Sequence, residues 1–215
     1  MIEQIFPESV LVEEFKDHNK YAEKLSKKCF ELEKTTRKGG EGWLSKNTFN
    51  TMETWDLYYD KDFEPITKFI QEQVKVYCRY VGINIGSVQI KPFLPWFNIY
   101  RKGDFQEFHH HSNTVLSAVY FLYGNENKGA KLFLKKSLND MINPMQVQPT
   151  FLNVDRLHYT PKPGKLVMFR GHVEHAVEQH EDDEPRISLA YNFYARPIRG
   201  QGEIAPLNNF RNEPL

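Results

Sequence analysis

No stretch of the 215-residue chain approaches the ~20 consecutive apolar residues of a membrane span. A basic leader is missing as well. The opening residues, Met1-Ile2-Glu3-Gln4-Ile5-Phe6-Pro7-Glu8, carry acids where a secretory signal carries bases, so a soluble cytoplasmic protein with no membrane role is expected. Nor is there an excess of charge of either sign: Lys plus Arg and Asp plus Glu are 28 each, which excludes a global field for nucleic acid or anionic lipid and leaves only local patches. Cysteine is scarce. Cys29 and Cys78 both fall in helical patterns, which excludes a disulfide framework and reads as two buried thiols. The length suits one sizeable core and forces no second domain, so residues 1–215 are expected to form one unit.

What is present divides into a helical front, 1–87, and a strand-rich core, 88–195, followed by a tail, 196–215. Residues 2–12, with Ile5, Val10 and Val12, read as an opening strand. From Asp17, placed as an N-cap, Tyr21, Leu25, Cys29 and Leu32 recur at helical spacing until Gly39-Gly40. A second helix has Pro65 in its first turn, the apolar stripe Ile66, Phe69, Ile70, Val74, Tyr77, Tyr80 and Val81, and Gly82 as its stop. Both stripes predict cladding packed on a sheet.

After residue 88 the period falls from about 3.6 to 2. Short strands are predicted near 96–100, 107–112, 115–123, 131–134, 157–160, 165–170, 175–178 and 186–194, separated by Gly, Pro and polar clusters. Their number and spacing predict a mainly β double-sheet jelly roll with a pocket at its mouth. On the last strand Arg186, Ser188, Ala190 and Asn192 share a small or polar face expected to line that pocket, whereas Ile187, Leu189, Tyr191 and Phe193 share a large apolar one. The segment 135–156, with Pro144 and Pro149, reads as a loop roofing the site, and the tail has no assignment.

Chemistry concentrates in His109-His110-His111. On an extended strand His109 and His111 share one face and His110 takes the other, so two imidazoles can close on one metal ion, with a third donor from elsewhere. Three protein ligands leave positions open, as a catalytic metal requires. His175 stands just after the apolar strand 165–169, and eleven residues later come Arg186 and, on the same strand face, Ser188. An arginine fork with a hydroxyl beside it suits a carboxylate, whereas a surface ion pair of Arg186 with Asp182, Asp183 or Glu184 would leave Ser188 idle. His172 competes with His175 for the third place, and His18, His110 and His180 read as solvated or packing residues. His158 is open between a supporting hydrogen bond and no role, and Tyr120 and Tyr123 read as core.

In that order of parts the chain resembles the iron(II)- and 2-oxoglutarate-dependent oxygenases: His-x-His, then Leu116–Leu122, then Pro163-Gly164 opening an apolar strand, then His175 and Arg186-x-Ser188. The likeness spans roughly residues 90–195. It is nearest to a poorly characterised branch from bacteria and their viruses whose core opens on Trp96-Phe97-Asn98, which would place a viral member in the host cytoplasm. The resemblance implies Fe(II) on His109, His111 and His175, 2-oxoglutarate held by Arg186 and Ser188 with help from Asn98 and Tyr100, and oxygen as co-reactant. It further implies hydroxylation of an unidentified substrate, a protein side chain, nucleotide or small metabolite, with release of succinate and carbon dioxide. The departure is His111, where most of the superfamily carries Asp. Glu107 is the rival ligand, since strict alternation puts Glu107, His109 and His111 on one face; Asp104 is more distant. Two other classes fit part of the pattern: a cupin-like three-histidine metalloenzyme without 2-oxoglutarate, which leaves Arg186 and Ser188 without a task, and a non-catalytic jelly-roll module, which leaves the histidines unexplained.

Overall fold

Two antiparallel sheets face each other, and the helices cover the outer side of the larger one. The computed structural model describes residues 7–136 and 148–198. In chain order its elements are β1 (Leu11–Glu14), α1 (His18–Thr35), β2 (Phe49–Asn50), α2 (Glu64–Tyr80), β3 (Val88–Tyr100), β4 (Gln106–His109), β5 (Leu116–Tyr123), β6 (Leu132–Lys135), β7 (Arg156–Tyr159), β8 (Lys165–Arg170), β9 (His175–Val177) and β10 (Arg186–Pro197). The six-stranded sheet runs β1-β8-β5-β10-β3-β2 and the four-stranded sheet β4-β9-β6-β7. This is the double-sheet jelly roll that the strand spacing predicts.

The alternation along β10 decides where each sheet face goes. Ile187, Leu189, Tyr191 and Phe193 lie in one apolar cluster with Leu25 and Cys29 of α1 and with Ile66, Ile70, Val74, Tyr77 and Cys78 of α2. On the opposite face the space between the sheets is filled by Tyr100, Phe121, Val167 and Phe169 of the large sheet and Leu132, Leu134 and Val177 of the small one. Burying the hydroxyls of the helix-side tyrosines is offset by hydrogen bonds: Tyr191 pairs with Thr67 Oγ1 at 2.9 Å and Tyr120 with His18 Nδ1 at 2.8 Å. Both cysteines are buried free thiols. No helix among the described residues is long and apolar enough to cross a membrane.

Several boundaries differ from the sequence reading, each for a local reason. The opening strand begins only at Leu11, where it pairs with Met168 of β8; residues 7–10 are not in a strand, and 1–6 lie outside the described residues. Helix α1 stops at Thr35, well before Gly39-Gly40, and Asp17 occupies the N-cap position without a side-chain capping bond. Tyr80, counted in the apolar stripe of α2, is 78 % exposed because it lies in the last turn, beyond the sheet contact made by Tyr77. Strand β3 starts eight residues earlier than expected. Pro92 and Pro95 mask it in the sequence, yet Val88–Phe93 pairs with Asn192–Pro197 after a bulge at Leu94-Pro95, where Leu94 has φ 39°. The proposed roof, 135–156, is described only at its ends, and the tail beyond residue 198 lies outside the described residues.

Candidate active site

Three histidines converge at the mouth of the inter-sheet space. His109 ends β4 and His175 begins β9, and the two are register partners across the small sheet, so their side chains share its inner face. His111 lies just past the strand, in the turn toward β5, and its backbone N–H is anchored on the carbonyl of Gly171 at 2.9 Å. One ring nitrogen from each of the three lies within 4.8 Å of the others, and the ring centroids are 4.2–5.1 Å apart. No other such donor group occurs among the described residues.

The tautomers are dictated by backbone oxygens. His109 Nδ1 is 2.8 Å from the carbonyl of Glu107 and His175 Nδ1 is 3.0 Å from that of Val173. A carbonyl can only accept, so Nδ1 carries the proton in both rings and Nε2 is left with its lone pair free, the state a metal ligand needs. Phe169 packs against His175 at 4.9 Å and Trp96 meets the half-buried His111 edge to face at 6.3 Å, which restricts ring rotation.

Burial favours the uncharged rings. It pulls His111 down to about 4 and lowers His109 and His175, the last well below the ordinary histidine value, and the neighbouring imidazoles push further in the same direction for His111 and His175. Because these values are lower in the folded chain than in the unfolded one, the unfolded chain binds more protons once the pH drops below about 6.5, and stability falls with pH from there down to the folded values. For His111 that window is about pH 6.5 to 4. Each such histidine contributes a slope of up to ~1.4 kcal/mol per pH unit. The expected result is an apo protein whose urea midpoint drops steeply across this window, with the slope reduced in His111→Asn; equal slopes in the two proteins would contradict it.

Glu107 does not join the cluster. Gln106 is in register with Val177 and His109 with His175, so β4 carries one extra residue between them, and this bulge breaks the alternation that aligned Glu107 with His109. Its Oε1 instead accepts the backbone N–H of Leu44 at 3.1 Å, and its Oε2 is buried without a partner. Asp104 is buried in the preceding turn, accepting the N–H of Arg101. His172 is exposed and bonded to Glu8 at 2.7 Å, and His110 is exposed. His158 is exposed on the outer face of the small sheet against Phe133. Two histidines read as solvated are buried. His18 meets Tyr120, and His180 accepts the N–H of Ala130 on Nδ1 while Nε2–H donates to the Glu184 carbonyl, a strut between two loops.

Deeper between the sheets lies an arginine with nothing to hold. Arg186 is fully buried, and Nε, Nη1 and Nη2 all lack a hydrogen-bond partner. None of the nearby acids pairs with it. Its guanidinium instead faces the rings of Tyr100 at 4.8 Å and Phe121 at 5.0 Å. Burial lowers it to about 10, opposed by Tyr100, whose own hydroxyl is pushed up to about 12 by burial. Register ties this pocket to its neighbours: Arg186 opposes Tyr100 and Ser188 opposes Asn98, all buried on the same face, and Trp96 Nε1 donates to Asn98 Oδ1 at 3.0 Å. Gln106, also buried, has an unpartnered Oε1. Sequence reasoning missed Gln106 and the two orienting carbonyls. Backbone carbonyls carry no residue-type signal, and only the orphaned atom marks Gln106. Tyr120 lies on the helix side, and half-buried Tyr123 bonds Glu184, so neither reaches the pocket.

Residues 95–192 match the family model described as "Putative 2OG-Fe(II) oxygenase". No curated protein matches by sequence. Among solved structures, a Pseudomonas putida prolyl-4-hydroxylase superposes with a TM-score of 0.63 at 16 % identity, covering 88 % of this chain and 94 % of that one. A Trichoplax adhaerens prolyl hydroxylase, solved with a hypoxia inducible factor peptide, superposes at 0.60 with 11 % identity and coverages of 86 % and 83 %. A Streptomyces hygroscopicus protein with nickel, 2-oxoglutarate and hygromycin B bound gives 0.54 at 10 % identity, with coverages of 87 % and 83 %. At these identities the likeness establishes the jelly-roll fold.

Proposed function

We propose that this chain, an iron(II)/2-oxoglutarate-dependent oxygenase by the family of its core segment, hydroxylates its substrate with His109, His111 and His175 holding the iron and Arg186 holding the cosubstrate. The observation that carries the reading is the orphaned guanidinium. A buried cation with three unsatisfied nitrogens costs several kcal/mol unless an anion completes it, and a planar fork fits a carboxylate at two points. A cupin-like three-histidine enzyme without the keto acid gives that cation no partner.

The donor set fits a ferrous ion: three imidazoles held uncharged by burial, with one ring nitrogen of each close to the others, and in His109 and His175 the backbone carbonyls leave Nε2 free to bind. Iron and 2-oxoglutarate together supply the activation of oxygen, consuming the keto acid to succinate and carbon dioxide as one oxygen atom passes to a substrate C–H bond. The chain's own work is positional. Glu107 and Val173 carbonyls fix two ring orientations, Arg186 and Ser188 anchor the far carboxylate, and Asn98 and Tyr100 complete that wall. Phe121, Phe169 and Val167 keep water from the space between. The test is oxygen-dependent succinate release by purified iron-loaded protein, lost in His175→Ala and Arg186→Met and retained in His110→Ala. Equal release by wild type and Arg186→Met would discard the assignment.

A further inference from the structure

Beyond the histidines, the face of β10 that carries Arg186 and Ser188 continues outward, past the end of its pairing with β5, onto a two-stranded ribbon. Phe93 opposes Asn192 at the ribbon's base, where Asn192 still pairs with Ser117, and beyond it Lys91 opposes Tyr194 and Gln89 opposes Arg196. The ribbon's other face is spoken for, since Phe193 is buried and Ile90 packs in the helix-side core. The first face is open: Phe93 is 58 % exposed, and Gln89, Lys91 and Arg196 are exposed too. Its chemistry is one-sided. Of these six side chains two are cations and none is an acid, and among the described residues no carboxylate pairs with Lys91 or Arg196. The rings are already ordered. Phe93 and Tyr194 meet edge to face at 5.8 Å, and the Arg196 guanidinium stacks on Tyr194 at 5.0 Å.

Position links this face to the reaction. Trp96, whose edge meets His111, is in register with Ala190, and Tyr194 lies four residues further along the same strand, roughly 13 Å at strand rise. The bulge at Leu94-Pro95 keeps Phe93 on this face despite its odd offset from Trp96.

We propose that this ribbon recognises the prime substrate, and that the substrate is a nucleotide unit of a single strand, with its base on Phe93 and Tyr194 and its phosphates against Lys91 and Arg196. The proposal rests on the oxygenase reading and names that enzyme's substrate class. A flat ring and a fixed anion a few ångströms apart match a ring directly opposite a cation across two strands, whereas a neutral apolar ligand would leave both cations without a task. The balanced global charge does not oppose it, because the patch is local.

The test uses iron-loaded protein with 2-oxoglutarate, without oxygen, titrated with a fluorescent ten-residue oligodeoxythymidylate, an abasic strand of equal length and an acidic tyrosine-containing peptide of equal length. Expected are saturable binding of the oligonucleotide that weakens with salt, at least about tenfold weaker binding of the abasic strand, and a loss of about tenfold or more in Phe93→Ala and in Arg196→Ala. Both variants should keep wild-type 2-oxoglutarate affinity. No oligonucleotide binding, tighter binding of the peptide, or an affinity unchanged in both variants would overturn it. A failed oxygenase reading is distinguishable, since it appears as absent 2-oxoglutarate binding before any strand is added.

Discussion

Arg186→Met is expected to raise the melting temperature of the ligand-free protein while abolishing its affinity for 2-oxoglutarate. The two effects share one cause. In the free protein the guanidinium is fully buried with no hydrogen-bond partner, and removing such a charge from water costs several kcal/mol after relaxation. Its contacts with Tyr100 and Phe121 return about 0.5–2 kcal/mol, which does not cover that cost. Methionine fills similar space without the charge, so a net gain of at least ~1 kcal/mol, or about 2–4 °C for a chain of this size, is expected by calorimetry. Arg186→Lys keeps the charge but loses the two-point fork, and should weaken 2-oxoglutarate by about tenfold to a hundredfold. Ser188→Ala should cost less than either. Metal content should stay at wild-type level in all three. A destabilised Arg186→Met with cosubstrate affinity intact would make the arginine a structural element.

His109→Ala, His111→Ala and His175→Ala should each lower ferrous affinity by more than ~100-fold, beyond the tenfold to hundredfold typical of losing a residue that only orients a ligand. His110→Ala and Glu107→Gln should bind as wild type. Glu107 is the discriminating variant. Strict alternation made it a ligand candidate, but the bulge in β4 separates it from the cluster, and its Oε1 holds the Leu44 N–H. Anaerobic titration followed by metal analysis of the desalted protein reads the outcome directly. Iron retained in His111→Ala and lost in Glu107→Gln would replace the third imidazole with a carboxylate.

The sequence exposed those parts of the architecture in which burial and periodicity agree. Along β10 both faces are buried against different things, apolar helices on one side and the inter-sheet space on the other, so large apolar and small polar residues alternate and both faces can be read. The helix stripe from Ile66 to Tyr77 was legible for the same reason. What escaped depends on single backbone events or distant partners. His111 reaches the cluster from a turn, not from the strand that alternation assumed. The bulges at 106–109 and 94–95 each shift a face by one residue; Pro95 stands at the second, but no residue type announces the first. His18 and His180 stand in charged surroundings in the sequence, yet each is buried by a hydrogen bond to a group more than 49 positions away, Tyr120 for one and Ala130 for the other.

The most direct measurement is calorimetric titration of the iron-loaded chain with 2-oxoglutarate in the absence of oxygen. The account predicts saturable binding of one molecule per chain that requires the metal, is lost in Arg186→Met and is preserved in Glu107→Gln. Iron bound at His109, His111 and His175 with no binding of 2-oxoglutarate would contradict it.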